Sequence, residues 1–263
     1  MLKYPRLVLT AGPRVLWDFA LFINRYARHP ERYPLERRYA KVRDLVVFIA
    51  KHFRLDMKVE GLEYLRGLEE KNQKFLLVAD HLSYFDPLAI VALSEKPITF
   101  VAKKEALKMP FIGTAIKALG GIFLDREDLR QSLLAMREVE KNLKAGYCSY
   151  MIFPEGTRNK HPENGVAPFH PGTFKAAVET GVPLLTCTIY GTPLVFAKRP
   201  DYRRLPLEFT FEKPLDVSKE KTTELAPRIY NVVAAQYALD KAEEQEFFAK
   251  GFEKIPLKKG KVR

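Results

Sequence analysis

The chain has 263 residues, and its 47% hydrophobic and 29% charged content is that of a folded protein with a sizeable core, which excludes a disordered chain. Lys and Arg outnumber Asp and Glu by 44 to 32. The resulting net charge of +12 favours an anionic partner, such as nucleic acid, a lipid surface or a phosphorylated substrate.

The first 54 residues are predicted to form a unit of their own, a pair of amphipathic helices over residues 7–27 and 35–53. Prolines in residues 30–34 predict the turn between them. We expect no signal peptide, and charged residues interrupt every apolar stretch before the roughly 20 residues that cross a bilayer. Large apolar and basic side chains in the same segments are typical of helices that lie on anionic lipid. A helical hairpin packed on the main domain would show the same pattern.

From residue 55 onward, short apolar or β-branched runs alternate with segments of helical period. Strands are predicted at residues 74–79, 98–102, 121–124, 149–153, 184–190 and 207–211. Helices are predicted at residues 87–94, 104–118, 129–145, 173–180, 223–239 and 241–252. This alternation predicts an α/β domain over residues 55–263, with a mixed, largely parallel central sheet flanked by helices.

The two cysteines, Cys148 and Cys187, lie in apolar runs and do not have the spacing of metal ligands. We predict buried, reduced thiols of a cytoplasmic protein. No metal site is expected.

Polar residues follow three of the predicted strands. His81 comes after the first strand, Asp125 and Arg126 after the third, and residues 155–158 after the fourth. Open α/β sheets bind their ligands beyond the carboxyl ends of the strands. These residues are therefore expected to form one site.

The stretch VADHLSYFDP places Asp86 five positions after His81. Asp86 also precedes Pro87 and an apolar run, which is typical of a helix start and is a sufficient structural reason for an aspartate. In the functional interpretation, a tight turn brings Asp86 back to the imidazole and fixes its tautomer. His81 would then accept a proton from a substrate hydroxyl. These two residues alone leave both interpretations open.

Two further clusters carry hydrogen-bond donors suited to a phosphate group. The stretch FPEGTR, residues 153–158, bends at a proline and a glycine and offers Thr157 and Arg158 as donors. A surface turn with an internal ion pair is the structural alternative. Lys104 at a strand-to-helix junction and Arg126 after the next strand suit the same anion, or they are solvated charges.

Taken together and in order, these motifs resemble the glycerolipid acyltransferase family, and in particular its bacterial 1-acylglycerol-3-phosphate acyltransferases. The resemblance covers roughly residues 55–215. It also includes FHPGTFKAA at residues 169–177. The motifs are His81 and Asp86 separated by four residues, Gly113 and Arg126 separated by twelve, EGTR at residues 155–158, and the pair Val182 and Pro183 before an apolar strand.

The resemblance implies that His81 is a general base oriented by Asp86. The base would activate the free sn-2 hydroxyl of lysophosphatidic acid to attack an acyl thioester, carried by coenzyme A or by acyl carrier protein. No cofactor is implied beyond this co-substrate. Ala106 stands where the family has leucine, so Lys103 and Lys104 are both kept as candidates. The implied phosphate-binding residues are Lys103, Lys104, Arg126, Glu155, Gly156, Thr157 and Arg158.

The same resemblance favours an anionic membrane surface as a partner of residues 1–54, and a peripheral or monotopic location on the cytoplasmic face of the cell membrane. Other acceptors remain open, namely glycerol-3-phosphate, a lyso-ornithine lipid or another lysophospholipid. A non-catalytic protein that binds anionic lipid is a further alternative. Nucleic acid is not expected as a partner, because no motif that reads RNA or DNA is present.

Overall fold

The computed structural model of the chain describes residues 5–52, 55–125, 127–196 and 205–249. The helices are α1 (Pro5–Asp18), α2 (Asn24–Arg28), α3 (Leu35–His52), α4 (Leu62–Glu70), α5 (Asp86–Leu93), α6 (Ile112–Ala118), α7 (Leu129–Lys144), α8 (Lys175–Thr180) and α9 (Thr222–Ala249). The strands are β1 (Leu55–Glu60), β2 (Leu76–Ala79), β3 (Ile98–Lys103), β4 (Ile122–Leu124), β5 (Ser149–Ile152), β6 (Leu184–Tyr190) and β7 (Leu205–Phe211).

The strands form one seven-stranded sheet in the order β1-β7-β6-β2-β5-β3-β4. Every neighbouring pair is parallel except β6 and β7, which are antiparallel. The three central strands β2, β5 and β6 are buried along their whole length, because helices cover both faces of the sheet. The predicted mixed, largely parallel sheet flanked by helices is confirmed.

The core lies in two layers, one on each face of the sheet. Leu77 and Ala79 of β2 belong to the cluster that includes α3 and α5, whereas Leu76 and Val78 belong to the cluster that includes α7, α8 and α9. Successive strand residues point to opposite faces, so both sets must be apolar in a central strand. β2 ends at Ala79, two residues before His81.

The N-terminal segment forms a helical hairpin, as predicted. A π-helical turn at Phe19–Ile23 joins α1 to α2, and α3 returns alongside them. The buried Asp18 pairs with Lys41 of α3 at 2.6 Å, which ties the two arms together. The opposite face of α1 and the π-turn exposes Leu16, Trp17 and Leu21. None of the described helices is both long enough and apolar enough to cross a membrane.

Three parts of the fold differ from the sequence prediction. β1 and α4 were not predicted, because LDMKVE mixes charged and apolar residues in a strand at the sheet edge. The helix predicted over residues 104–118 is a 3-10 helix, Lys104–Lys108, followed by a turn and α6. Pro110 lies in that turn, and its ring and missing N–H disfavour a continuous helix there. The two helices predicted after residue 222 are one helix, α9, within the described residues.

Gly113 allows α6 to lie directly on the preceding 3-10 helix. A Cβ atom at Gly113 would meet the carbonyl oxygens of Ala106 and Leu107 at 2.5 and 2.8 Å. Both contacts are with backbone, which cannot rotate away. The close approach of these two segments therefore requires glycine at this position.

We expect Gly113→Ala to lower the free energy of unfolding by about 1–3 kcal/mol, because the added methyl group overpacks a backbone contact. Gly67→Ala in α4 is the matched control, since a Cβ atom there meets nothing within 4 Å. That variant should raise the free energy of unfolding by about 0.5–1 kcal/mol through helix propensity. Urea unfolding of both variants measures the difference, and stabilisation by both substitutions would contradict the packing argument.

Candidate active site

The loops after β2, β3 and β5 meet at the carboxyl edge of the sheet around one cavity of about 410 Å³. Parallel strands end at the same edge, so residues far apart in sequence converge there. Five of the residues identified in the sequence line this cavity: His81, Lys103, Gly156, Thr157 and Arg158. Arg126 lies outside the described residues.

His81 and Asp86 are paired. The Nδ1 atom of His81 lies 2.8 Å from Oδ2 of Asp86, and the Asp86 side chain is 0% exposed. The same Oδ2 accepts the N–H groups of Leu82 and Ser83 at 2.7 and 2.8 Å, and the hydroxyl of Thr192 donates to Oδ1. A buried carboxylate stays charged only when its oxygens are hydrogen-bonded in this way. Because the carboxylate accepts from Nδ1, the neutral ring carries its lone pair on Nε2.

Asp86 lies at the start of a helix, and its side chain also faces His81. Asp86 is the first residue of α5, with Pro87 next, as expected of a helix start. Its side chain nevertheless turns back to the preceding loop and to His81. The tight turn that begins α5 is therefore also the turn that orients the imidazole.

The loop after β5 contacts both the backbone and the ring of His81. The His81 N–H donates to Oε1 of Glu155 at 2.6 Å, and its carbonyl accepts the N–H of Asn159 at 2.7 Å. The imidazole stacks on Phe153, with ring centroids 3.8 Å apart and planes at 15°. The resemblance grouped Glu155 with the phosphate-binding residues. In the structure its carboxylate binds the backbone of His81 and of Ala167.

Three carboxyl groups surround the His81 backbone. Burial raises the pKa of Glu155 to about 7, against the two backbone N–H groups that favour its charged form. Burial also raises the pKa of Asp80 well above its usual range, and the neighbouring charges of Asp86 and Glu155 act in the same direction. Oδ1 of Asp80 accepts the N–H of Ile189 at 2.8 Å, and Oδ2 has no hydrogen-bond partner among the described residues. The raised pKa values of Asp80 and Glu155 both favour the protonated form of these two carboxyl groups.

Arg158 is held against the rim of the cavity by Tyr84. Its guanidinium carbon lies 3.6 Å from the centroid of the Tyr84 ring, and Nη2 donates to the Tyr84 hydroxyl at 2.9 Å. A planar guanidinium fixed in this way keeps its remaining N–H groups for an anion. Tyr84 is exposed and Arg158 is partly exposed, so the cation stays accessible to solvent.

The two candidate lysines have different surroundings. Lys103 lines the cavity, whereas the ammonium group of Lys104 pairs with the carboxylate of Asp125. Their mutual hydrogen bond raises the pKa of Lys104 and lowers that of Asp125. The positive charge of Lys104 is thus partly neutralised beside the cavity.

The inner wall of the cavity is apolar and consists of residues from β3, β4, β5, α6 and the turn before α6. A cavity with charged groups at its rim and an apolar interior fits a ligand with a polar head and a hydrocarbon chain. Within the described ranges, no three His, Cys, Asp or Glu side chains are grouped to hold a metal ion. The apolar wall residues include Phe100, Met109, Ile112, Ile116, Leu124 and Ile152.

Four residues that position the site were not predicted from the sequence: Tyr84, Phe153, Asn159 and Thr192. Tyr84 lies in the stretch VADHLSYFDP and Phe153 in FPEGTR. An aromatic residue inside a motif with a histidine or an arginine could have indicated a ring that contacts that side chain. Thr192 lies 106 positions from Asp86, so nothing local indicates their contact.

The sequence model of the Acyltransferase family matches residues 56–190, slightly more than half of the chain. A 1-acyl-sn-glycerol-3-phosphate acyltransferase of Haemophilus influenzae is 28% identical over 187 residues, which are 70% of this chain and 75% of that protein. A probable 1-acyl-sn-glycerol-3-phosphate acyltransferase of Mycoplasma pneumoniae is 31% identical over 71% of this chain and 68% of that protein. A Borreliella burgdorferi protein with the same activity in its name is 32% identical, and the chain spans half its length.

The fold comparison agrees. The crystal structure of a 1-acyl-sn-glycerophosphate (LPA) acyltransferase from Thermotoga maritima matches with a TM-score of 0.64 and 27% identity, covering 88% of both chains. The family match over residues 56–190 includes strands β2 to β6 and the loops that carry His81, Asp86 and Arg158. The chain therefore belongs to the Acyltransferase family.

Proposed function

We propose that this acyltransferase transfers a fatty acyl group from a thioester to the sn-2 hydroxyl of 1-acyl-glycerol-3-phosphate and so makes phosphatidic acid at a membrane surface. The observation that carries the proposal is the His81 imidazole, backed by buried Asp86, at an apolar cavity whose rim holds Lys103 and Arg158. The relatives named 1-acyl-sn-glycerol-3-phosphate acyltransferase support this acceptor.

In this mechanism His81 is the general base. Nε2 accepts the hydroxyl proton as the acceptor oxygen attacks the thioester carbonyl, and Asp86 stabilises the imidazolium that forms. The tetrahedral intermediate then expels the thiolate of coenzyme A or acyl carrier protein, and the imidazolium returns its proton to that sulfur. A C–O bond forms, a C–S bond breaks, and no residue of the chain becomes acylated.

The phosphate group of the acceptor is assigned to the rim. Arg158 offers a planar pair of N–H donors, Lys103 adds a second cation, and Gly156 lets the backbone beside Thr157 approach the phosphate oxygens. Lys104 and Arg126 remain in the proposal as further cations, on the resemblance of their motifs. Glu155 contributes by holding the His81 backbone.

Acyl chains are assigned to the apolar wall of the cavity, beyond the imidazole. We further propose that residues 1–54 form a membrane-interface unit, and that the enzyme works on the cytoplasmic face of the cell membrane. The exposed Leu16 and Trp17 of α1, 60% and 64% accessible, support lipid contact by this hairpin. A product with two acyl chains would pass directly into the bilayer there.

A different acceptor is the main alternative: glycerol-3-phosphate, a lyso-ornithine lipid or a lysophospholipid with a larger head group. The cations at the rim favour lysophosphatidic acid and glycerol-3-phosphate, both phosphomonoesters, over a head group with a phosphodiester, because two charges bind Lys and Arg more strongly than one. A non-catalytic lipid-binding protein would have no need of the ordered contact between His81 and Asp86.

We expect phosphatidic acid to be the main product when the protein is offered lysophosphatidic acid, glycerol-3-phosphate, a lyso-ornithine lipid and lysophosphatidylcholine in parallel. Oleoyl-coenzyme A and oleoyl-acyl carrier protein serve as the two donors, and mass spectrometry of the extracted lipids identifies each product. Faster acylation of another acceptor would contradict the proposed substrate. Vesicle binding without turnover on any acceptor would favour the lipid-binding alternative.

Tyr84→Ala is expected to raise KM for lysophosphatidic acid by about tenfold and to change kcat by less than about twofold. The variant loses both the ring under Arg158 and the hydroxyl that accepts a hydrogen bond from Arg158. Together these contacts contribute about 1–2 kcal/mol to the free energy of acceptor binding. Tyr84→Phe keeps the ring and should raise KM by only about threefold. Initial-rate kinetics over a range of acceptor concentrations measure the effect.

Tyr64→Ala is the matched control for this series, because Tyr64 on α4 is 36% exposed and lies outside the cavity. Its KM should equal that of the wild type. If Tyr84→Ala lowered kcat at unchanged KM, Tyr84 would act on the chemical step and not on Arg158.

A further inference from the structure

Two large apolar side chains are exposed beside the cavity, one on the 3-10 helix and one in the turn before α6. Leu107 is 41% and Phe111 is 45% accessible. We propose that the segment formed by residues 104–111 is a second lipid-contact surface, which places the mouth of the His81 cavity on an anionic bilayer. This inference rests on the proposed function, since it gives the lipid substrate a route into that cavity.

The segment has an inner and an outer side. Ala106, Met109 and the adjoining Ile112 line the cavity, whereas Leu107 and Phe111 face outward. One short stretch of chain therefore separates the apolar interior of the cavity from an apolar patch on the surface. A lipid chain at that patch would cross a single layer of residues to reach the cavity.

Phe111 has a backbone conformation that is costly for a residue with a side chain. Its φ is +64° and its ψ is −48°, and the N–H of Ile112 donates to the carbonyl of Pro110 at 2.7 Å. This is a γ-turn with positive φ, a rare and strained form. Nearly half of the Phe111 side chain remains exposed, so intramolecular burial only partly offsets the strain. Contact with lipid would bury the rest.

The surroundings are basic. Residues 103–117 contain four lysines and one glutamate. Lys108 on the segment and Lys117 on α6 are exposed. Cations beside exposed apolar side chains are the combination that binds anionic phospholipid.

The patch also contacts the N-terminal hairpin. The rings of Phe19 and Phe111 meet edge to face, with centroids 4.8 Å apart. Phe19 is the first residue of the π-turn, two positions after the exposed Trp17 of α1, and Leu107 lines a groove with Ala27 of the hairpin. A bilayer can contact both surfaces at once, which favours lipid over a protein partner that binds residues 104–111 alone.

The first test is sedimentation of the full chain with vesicles of phosphatidylglycerol and phosphatidylcholine. The double variant Leu107→Ser, Phe111→Ser should bind at least about tenfold more weakly than the wild type, because two apolar side chains no longer enter the lipid. The matched control is Val232→Ser, Leu239→Ser, two exposed residues of α9 on the opposite face of the sheet. Equal weakening by both pairs, or none by either, would overturn the proposal.

A fluorescence measurement tests the proposal without the serine variant, which could misfold. Trp17 is the single tryptophan of the chain, so Trp17→Phe provides a silent background. In that background, vesicles should shift the fluorescence emission of the tryptophan introduced by Phe111→Trp to shorter wavelength. Vesicles with brominated acyl chains should quench this emission. Tryptophan introduced by Leu239→Trp should show neither change.

The lipid assignment would be overturned if Phe111→Trp protein bound vesicles but its tryptophan fluorescence stayed unquenched. It would also be overturned if that fluorescence changed on addition of acyl carrier protein but not on addition of vesicles. Failure of the wild type to bind vesicles would overturn it as well. Turnover of lysophosphatidic acid in detergent micelles is measured separately. That assay needs no bilayer, so loss of vesicle contact and loss of the proposed activity are distinguishable.

Discussion

The buried carboxylate of Asp86 is the interaction on which the rest of the site depends. A charged group with 0% exposure is tolerated only when donors surround it, and here they come from three places. The turn before α5 supplies two backbone N–H groups, Thr192 after β6 supplies a hydroxyl, and His81 supplies Nδ1–H. Satisfying this one carboxylate therefore fixes the turn, anchors a second loop and orients the imidazole. The orientation of the proposed base is a consequence of charge burial.

The sheet supplies what the carboxylate alone cannot. Parallel pairing of β2 with β5 brings the loop that carries Glu155 beside the loop that carries His81, and each peptide group of His81 is bonded to that second loop. The apolar wall comes from the neighbouring β3 and from α6, which lies close because of Gly113. Polar and apolar halves of one cavity thus arise from strands whose carboxyl ends share an edge. This division matches a substrate with a charged head and a hydrocarbon chain.

The α/β architecture and the relation of His81 to Asp86 were predictable from the sequence, because both depend on local spacing and on the alternation of strand and helix. Edge strand β1 was not, since it carries charged residues and depends on pairing with β7 about 150 positions away. The hydrogen bond from Thr192 to Asp86 and the one from the His81 N–H to Glu155 likewise join residues far apart in the sequence, and no local pattern predicts them. The turn at Phe111 was missed because helical periodicity outweighed the signal from Pro110.

The most direct test of the account is the initial rate of phosphatidic acid formation by His81→Ala, measured beside the wild type with lysophosphatidic acid and the better donor. The variant must unfold in urea with the same cooperativity as the wild type, which shows that the site was lost without the fold. The account predicts a rate about 10²- to 10⁴-fold lower, the usual contribution of a positioned general base. Turnover close to that of the wild type by the folded variant would contradict the assignment of His81 as the base.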